Sequence, residues 1–262
     1  MDQDLSEKYI LPVRDELSTD IYLCYREAFS GPPLPIQRFK QVYIEHLAYD
    51  SRYSFVYKEG HQVQAFLLVR LFPDASLYIT LCGVRKGYRR KGLMNHLVCH
   101  MENAARLNGV TTIFLDILHD NFPAISAFNK WGYAQKSAVF TFDYKGETLA
   151  THILLEENTS REWAGINAFD SAFTEGFLRY DASIPGEGIV GRVVLDPIRK
   201  QIVHVEIYQE KRGRGYGKEL ISRVVKETGC RYVFRVGEPG IKSFLLKVGF
   251  ESILEQIVLS KT

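Results

Sequence analysis

The sequence predicts a mixed α/β chain, helices against a mixed sheet, built from two related units of which the second is trimmed. Three observations carry this. A basic, glycine-containing stretch at residues 84–94 lies between an apolar run, 77–82, and a helical run that begins at about Leu93. A variant recurs at 210–220, again after an apolar run, 202–207. The elements that follow also repeat: Gly92 to Gly132 spans forty residues and Gly215 to Gly249 thirty-four, with strand and helix in the same order between them, as an internal duplication requires. The expected division is 1–150 and 151–262, the polar residues around 156–160 marking the change.

The elements follow in order. Ile21, Tyr22, Cys24, Tyr25, Ala28 and Phe29 recur at mostly helical spacing behind Ser18 as an N-cap, and Gly31-Pro32-Pro33 stops that helix. Pro35 opens a second helix, with Phe39, Val42, Tyr43 and Leu47 on one face, ending before Asp50. Residues 53–57 and 63–69, separated by Lys58-Glu59-Gly60, read as a hairpin feeding the strand before the first loop. After the loop, Leu93, Leu97, Val98, Met101, Ala104 and Ala105 form a helical face closed by Asn108-Gly109. Residues 111–118 form an apolar strand, 121–131 a short helix, and 138–144 a strand. In the second half, 161–173 can be a helix; 189–195 and 201–207 are strands, 220–225 a helix face capped at Thr228-Gly229, 232–236 a strand, 241–248 a helix and 253–259 a final strand.

Composition narrows the function. The 262 residues, 46% hydrophobic, can bury a sizeable core. Lys and Arg total 33 against 31 acidic residues, so the net charge of +2 argues against a general nucleic-acid or membrane binder, and any anion site must be local. Cys24, Cys82, Cys99 and Cys230 make no Cys-x-x-Cys, which argues against a disulfide framework or a zinc site. The acidic N-terminus and the lack of any membrane-length apolar run make the cytoplasm the expected location. Nothing in the sequence sets an oligomeric state.

A strand that breaks into a basic glycine loop and then opens a helix turns several backbone N–H groups toward one point, backed by the positive end of the helix dipole: a cradle for phosphate. Neither loop is a nucleoside-triphosphate loop, because Leu93-Met94 and Lys218-Glu219 stand where a Lys followed by Ser or Thr is required, and neither carries a dinucleotide fingerprint. Both contain Arg-x-x-Gly-x-Gly/Ala with an aliphatic residue five before the arginine. The second copy, Ile207 with Arg212, Gly213, Gly215 and Gly217, is complete; in the first, Val84 with Arg89, Arg90, Lys91 and Gly92, Met94 replaces the last small residue. The first copy adds Asn121-x-x-Ala124-x-x-x-Phe128-x-x-x-Gly132-Tyr133.

In these motifs the sequence resembles the GNAT superfamily of acetyl-CoA-dependent N-acetyltransferases, well over 18–144 and more loosely over 188–259. The resemblance implies two GNAT-like domains in tandem, the second degenerate, and transfer of an acetyl group from acetyl-CoA to a primary amine of a small molecule or peptide by direct attack. No metal is needed. Amides of residues 90–95, through Met94 and Asn95, would hold the pyrophosphate, with charge from Arg89 and Lys91. The edge near Cys82 and Val84 would hold the pantetheine arm, and Asn121 would contact that arm or a water. The loop of the second copy is a further possible cofactor site. The family often places a tyrosine where this chain has Phe128 and Leu245, to protonate the departing thiolate; Tyr88 and Tyr133 are other possible donors. An ammonium with a pKa near ~10 must lose a proton, and His119, then Asp116, are the expected bases. A solvated loop histidine and an acidic helix cap are the plainer readings of this pair. Outside catalysis, the alternative is an acyl-CoA-binding or partner-binding module; within it, catalysis in the second domain.

Overall fold

Runs of apolar residues before the first loop build an antiparallel ladder whose geometry decides where that loop points. The computed structural model describes residues 8–160, 166, 169, 170, 174 and 176–262. The chain forms two units, one of Met1–Ile117, Asn121–Lys136 and Val258–Thr262, the other of Leu118–Asp120 and Ser137–Ile257. Neither unit is contiguous in sequence. The reason is the length of β6 (Ala134–Tyr144) and β12 (Phe250–Lys261), each of which begins in one unit and ends in the other.

In the first unit β1 (Lys8–Pro12), β2 (Phe55–Glu59), β3 (Gln62–Leu71) and β4 (Ser76–Val84) pair antiparallel in that order, and β4 pairs parallel with β5 (Thr112–Leu118). Helix α1 (Ser18–Ala28) buries Ile21, Tyr22 and Cys24 against Phe39, Val56, Phe66 and Leu68. The helix expected after Pro35 is α2 (Ile36–Phe39), which widens into a π-helical stretch, Lys40–His46. Helix α3 (Leu93–Leu107) buries Leu93, Leu97, Val98, Met101 and Ala105, the face that the three-and-four spacing marks. Burial of each large side chain contributes about 1.5–3 kcal/mol relative to exposure. Helix α4 (Phe122–Lys130) follows, and Gly132 at φ 90° ends it.

In the second unit the strand order is β6, β11 (Tyr232–Val236), β10 (Gln201–Ile207), β9 (Gly188–Asp196), β8 (Leu178–Ile184) and β7 (Leu154–Glu157). Helices α5 (Tyr216–Thr228) and α6 (Pro239–Val248) cover a core that includes Phe142, Val193, Leu195, Leu220, Val224 and Leu245. The helix expected at 161–173 falls largely outside the described residues. Strands β1, β7 and β8 are additions to the sequence reading. In β8, Leu178, Tyr180, Ala182 and Ile184 alternate with Arg179, Asp181 and Ser183, which is strand chemistry in plain view.

The strand before each loop is kinked at the same place. Pairing of β3 with β4 slips between Leu68 and Val69, leaving Thr80 as an extra residue on β4; pairing of β9 with β10 slips between Ile202 and His204, leaving Val203 extra on β10. Each bulge lies twelve residues before the loop glycine, Gly92 or Gly215. Parallel pairing stops just short of the bulge, at Ile79–Leu115 in one unit and Gln201–Tyr232 in the other, so the strands diverge from there on.

Candidate functional site

The two loops fold alike because the same positions demand it. A 3₁₀ turn, Lys86–Tyr88 or Gln209–Lys211, leads to an extended arginine, Arg89 (φ −66°, ψ 154°) or Arg212 (φ −68°, ψ 159°). The guanidinium Nε of each donates back to the carbonyl of the aliphatic residue five earlier: Arg89 to Val84 at 3.3 Å, Arg212 to Ile207 at 2.9 Å. Next come two left-handed residues one apart, Arg90 (φ 61°) and Gly92 (φ 82°), or Gly213 (φ 80°) and Gly215 (φ 87°), and the glycine starts the helix. At Arg90 a residue with a Cβ holds a conformation that costs about 1–2 kcal/mol. The result is a run of amides without a protein acceptor among the described residues, from Arg90 through Asn95 and from Gly213 through Gly217. Such a run at a helix start binds anions.

In the first unit, Arg89 also donates to the carbonyl of Ala28 at 2.5 Å, so its charge ties the loop to the end of α1. Lys91 Nζ sits 4.7 Å from the centroid of the Tyr88 ring. Met94 and Asn95 occupy the first turn of α3, both half-buried, and the Asn95 side-chain oxygen Oδ1 lies 4.0 Å from the Cys99 thiol. Cys82 is on β4, and burial pushes its thiol up to about 12, which removes it as a nucleophile at neutral pH. Asn121 is the N-cap of α4, its side-chain oxygen accepting from the Ala124 amide at 3.4 Å. Phe128 is 3% exposed and packs edge-on against Trp131 and Tyr133, a core position. Tyr133 is also buried, and burial with the nearby Glu102 carboxylate pushes its hydroxyl far above the ordinary tyrosine range.

The two expected bases have different partners. Asp116, one residue past the last β4–β5 pair, accepts from the Tyr78 hydroxyl at 3.2 Å and counts with the first unit. His119 counts with the second unit; its backbone N–H and its ring Nδ1 both meet the Glu255 carbonyl, at 3.1 and 3.3 Å.

In the second unit the divergence of β10 and β11 is accompanied by a groove of about 690 Å³. The second loop, from Lys211 to Lys218, forms one end. Val205, Ile207, Phe244 and Val248 give apolar walls, and Lys218 and Lys247 add charge. Gly217 lets α6 approach: a Cβ there would lie 3.2 Å from Phe244 Cζ. His204 and Glu206 line the same groove, His204 Nε2 4.0 Å from Glu206 Oε2, which also forms an ion pair with Arg192 Nε at 2.8 Å. One further residue was hidden from sequence reasoning. Glu187, on the turn between β8 and β9, accepts from the Tyr216 hydroxyl at 2.7 Å, from Arg214 at 3.2 Å and from Lys211 at 3.4 Å. A lone glutamate in a Pro-Gly-Glu-Gly turn carries no motif.

Among the described residues no group of three or more His, Cys, Asp or Glu could hold a metal ion, and no helix is long and apolar enough to cross a membrane. Residues 15–133 match the family model described as Acetyltransferase (GNAT) family. No curated protein matches the chain by sequence. Among solved structures the chain is similar to a GCN5-related N-acetyltransferase from Sphaerobacter thermophilus, with a TM-score of 0.68 at 15% identity over 100% of this chain and 96% of that one. It is also similar to a tandem GNAT protein from the clavulanic acid biosynthesis pathway, with a TM-score of 0.66 at 16% identity over 97% of this chain and 98% of that one. At these identities the likeness is one of fold.

Proposed function

We propose, from the match of residues 15–133 to the GNAT family model, that the chain is an acetyl-CoA-dependent N-acetyltransferase that moves the acetyl group to a primary amine of a small molecule or peptide. The observation that carries this reading is the first loop: a bulged strand, an arginine buttress and amides 90–95 directed from a helix start, in the part of the chain that matches the family. The amides of residues 90–95 hold the pyrophosphate of acetyl-CoA. The β4 edge past Ile79, freed by the loss of pairing with β5, takes the pantetheine arm in the manner of an added strand and polarises the thioester carbonyl. The amine attacks the carbonyl carbon, the C–S bond breaks, and the acetyl group leaves on nitrogen while CoA leaves as thiolate. Asp116 is the proton acceptor proposed within the first unit. With Phe128 and Tyr133 both buried, no acid is assigned; a thiol of pKa about 8.5 departs tolerably as thiolate near neutral pH.

A second reading, favoured by the groove at the second loop, gives acyl-CoA binding to that unit, with His204 and Glu206 as proton acceptors. Paired variants separate the two. Gly92→Val and Gly215→Val each force a side chain onto a left-handed residue and crowd the amides beside it. The first reading expects Gly92→Val to weaken CoA binding at least ~tenfold and to abolish thiol release from acetyl-CoA with a panel of amines, Gly215→Val leaving turnover in place. The reverse pattern transfers the activity to the second unit. Tight CoA binding with no amine-dependent thiol release would leave a binding module and sink both.

A further inference from the structure

The second loop is rich in cations, yet its polar ends are already engaged. Arg212 is turned back onto the Ile207 carbonyl. Lys211 Nζ contacts Glu187 twice, at the backbone carbonyl (3.2 Å) and at Oε2 (3.4 Å). Arg214 Nη1 reaches the same carboxylate oxygen at 3.2 Å, and the Tyr216 hydroxyl donates to Oε1 at 2.7 Å. One carboxylate thus collects the side-chain donors of three loop residues, two of which, Lys211 and Tyr216, also line the groove. The placement is fixed by the backbone: Ile184 pairs with Gly188, the Glu187 amide donates to the Ile184 carbonyl at 3.0 Å, and Gly186 and Gly188 take positive φ to close the turn. The Tyr216 hydrogen bond, then Lys211 and Arg214, hold the Glu187 carboxyl below the usual carboxylate range, so it is an anion at neutral pH.

We propose that Glu187 is a built-in counter-anion of the second loop, a specificity-determining residue that competes with the phosphates of an incoming ligand for Lys211, Arg214 and Tyr216. This rests on the reading that the second groove takes a phosphorylated ligand. The amides of 213–217 then supply the first recognition, and full engagement needs Glu187 to give up its partners. The β8–β9 turn, far from the loop in sequence, sets how much negative charge the groove accepts.

The test is a double-mutant cycle on the full chain in a Gly92→Val background, which closes the first loop, with CoA as the probe in isothermal titration. Glu187→Gln keeps the shape of the side chain and removes the competing charge, and tighter binding by roughly tenfold is expected, the size of one charge-assisted hydrogen bond. Lys211→Met alone should change affinity less than about threefold, because Lys211 is already taken; in the Glu187→Gln background it should cancel most of the gain. Unchanged or weaker binding by Glu187→Gln, or a Lys211→Met effect equal in both backgrounds, overturns the proposal while leaving the groove as a CoA site. If Gly92→Val chains bind no CoA, or bind it independently of Gly215→Val, the underlying reading falls and this one with it.

Discussion

Asp143 shows how a single residue couples this fold to pH. It is 5% exposed, and burial alone would raise its carboxyl, but Lys145 Nζ at 2.6 Å and Arg231 Nε at 2.5 Å outweigh that and hold it below the usual carboxylate range. A depressed folded-state value contributes stability that is present above the unfolded value of about 3.9 and is lost as pH falls through the folded one. Denaturant titrations at a series of pH values should show stability falling as pH drops below about 5 in the wild type, and Asp143→Asn should lack that loss. Parallel curves for the two proteins would discount it. The same scale explains what could and could not be read in the site. Gly92, Gly215 and the arginines were legible because left-handed backbone and a buttressed loop restrict residue type. Phe128 was legible as a departure from the family pattern, and its packing accounts for it. Asp116 and His119 were legible only as candidates, because a carboxylate and an imidazole just before a helix carry no mark of which one reaches a substrate.

Between residue and molecule stands the bulged strand. Both loops owe their aim to an extra residue on the preceding strand, and β9 fits against bulged β10 only because residue 191 is glycine: a Cβ there would lie 2.2 Å from the Glu206 carbonyl oxygen. The partner atom is backbone in a paired strand and cannot swing aside. Gly191→Ala is therefore expected to cost about 1–3 kcal/mol and to splay the wall that carries Glu206 and Ile207. Chemical denaturation reads the loss, and an unshifted midpoint would mean that β9 slides freely. Helices α1, α3, α4, α5 and α6 were legible because their apolar faces recur at helical spacing between caps. The edge strand β7, with only two apolar residues in Leu-Leu-Glu-Glu, gives periodicity nothing to act on. The bulges were invisible for a different reason, since a one-residue slip is a property of two strands and leaves no mark in either.

At the scale of the whole molecule, the far end of β12 returns to the first unit. Val258–Thr262 belong to the first unit, where Lys261 Nζ binds Glu102 of α3 at 2.8 Å and the carbonyl of Trp131, just past α4, at 2.8 Å. Val258 and Leu259 are buried there. A fragment ending at residue 150 should then melt without a cooperative transition, and deletion of 258–262 from the full chain should lower the stability of the first unit ahead of the second. Circular dichroism melts of both, with hydrogen exchange to locate the loss, check this; a fragment of 1–150 that melts as sharply as the intact protein would contradict it. The placement of those last residues also orders biosynthesis. Every residue of the second unit has been added by position 257, whereas the first unit waits for 258–262. At about 5–20 residues per second, the nascent first unit stays incomplete for roughly 6–24 s while 137–257 are translated. The unit whose residues are translated first is therefore the last to be completed.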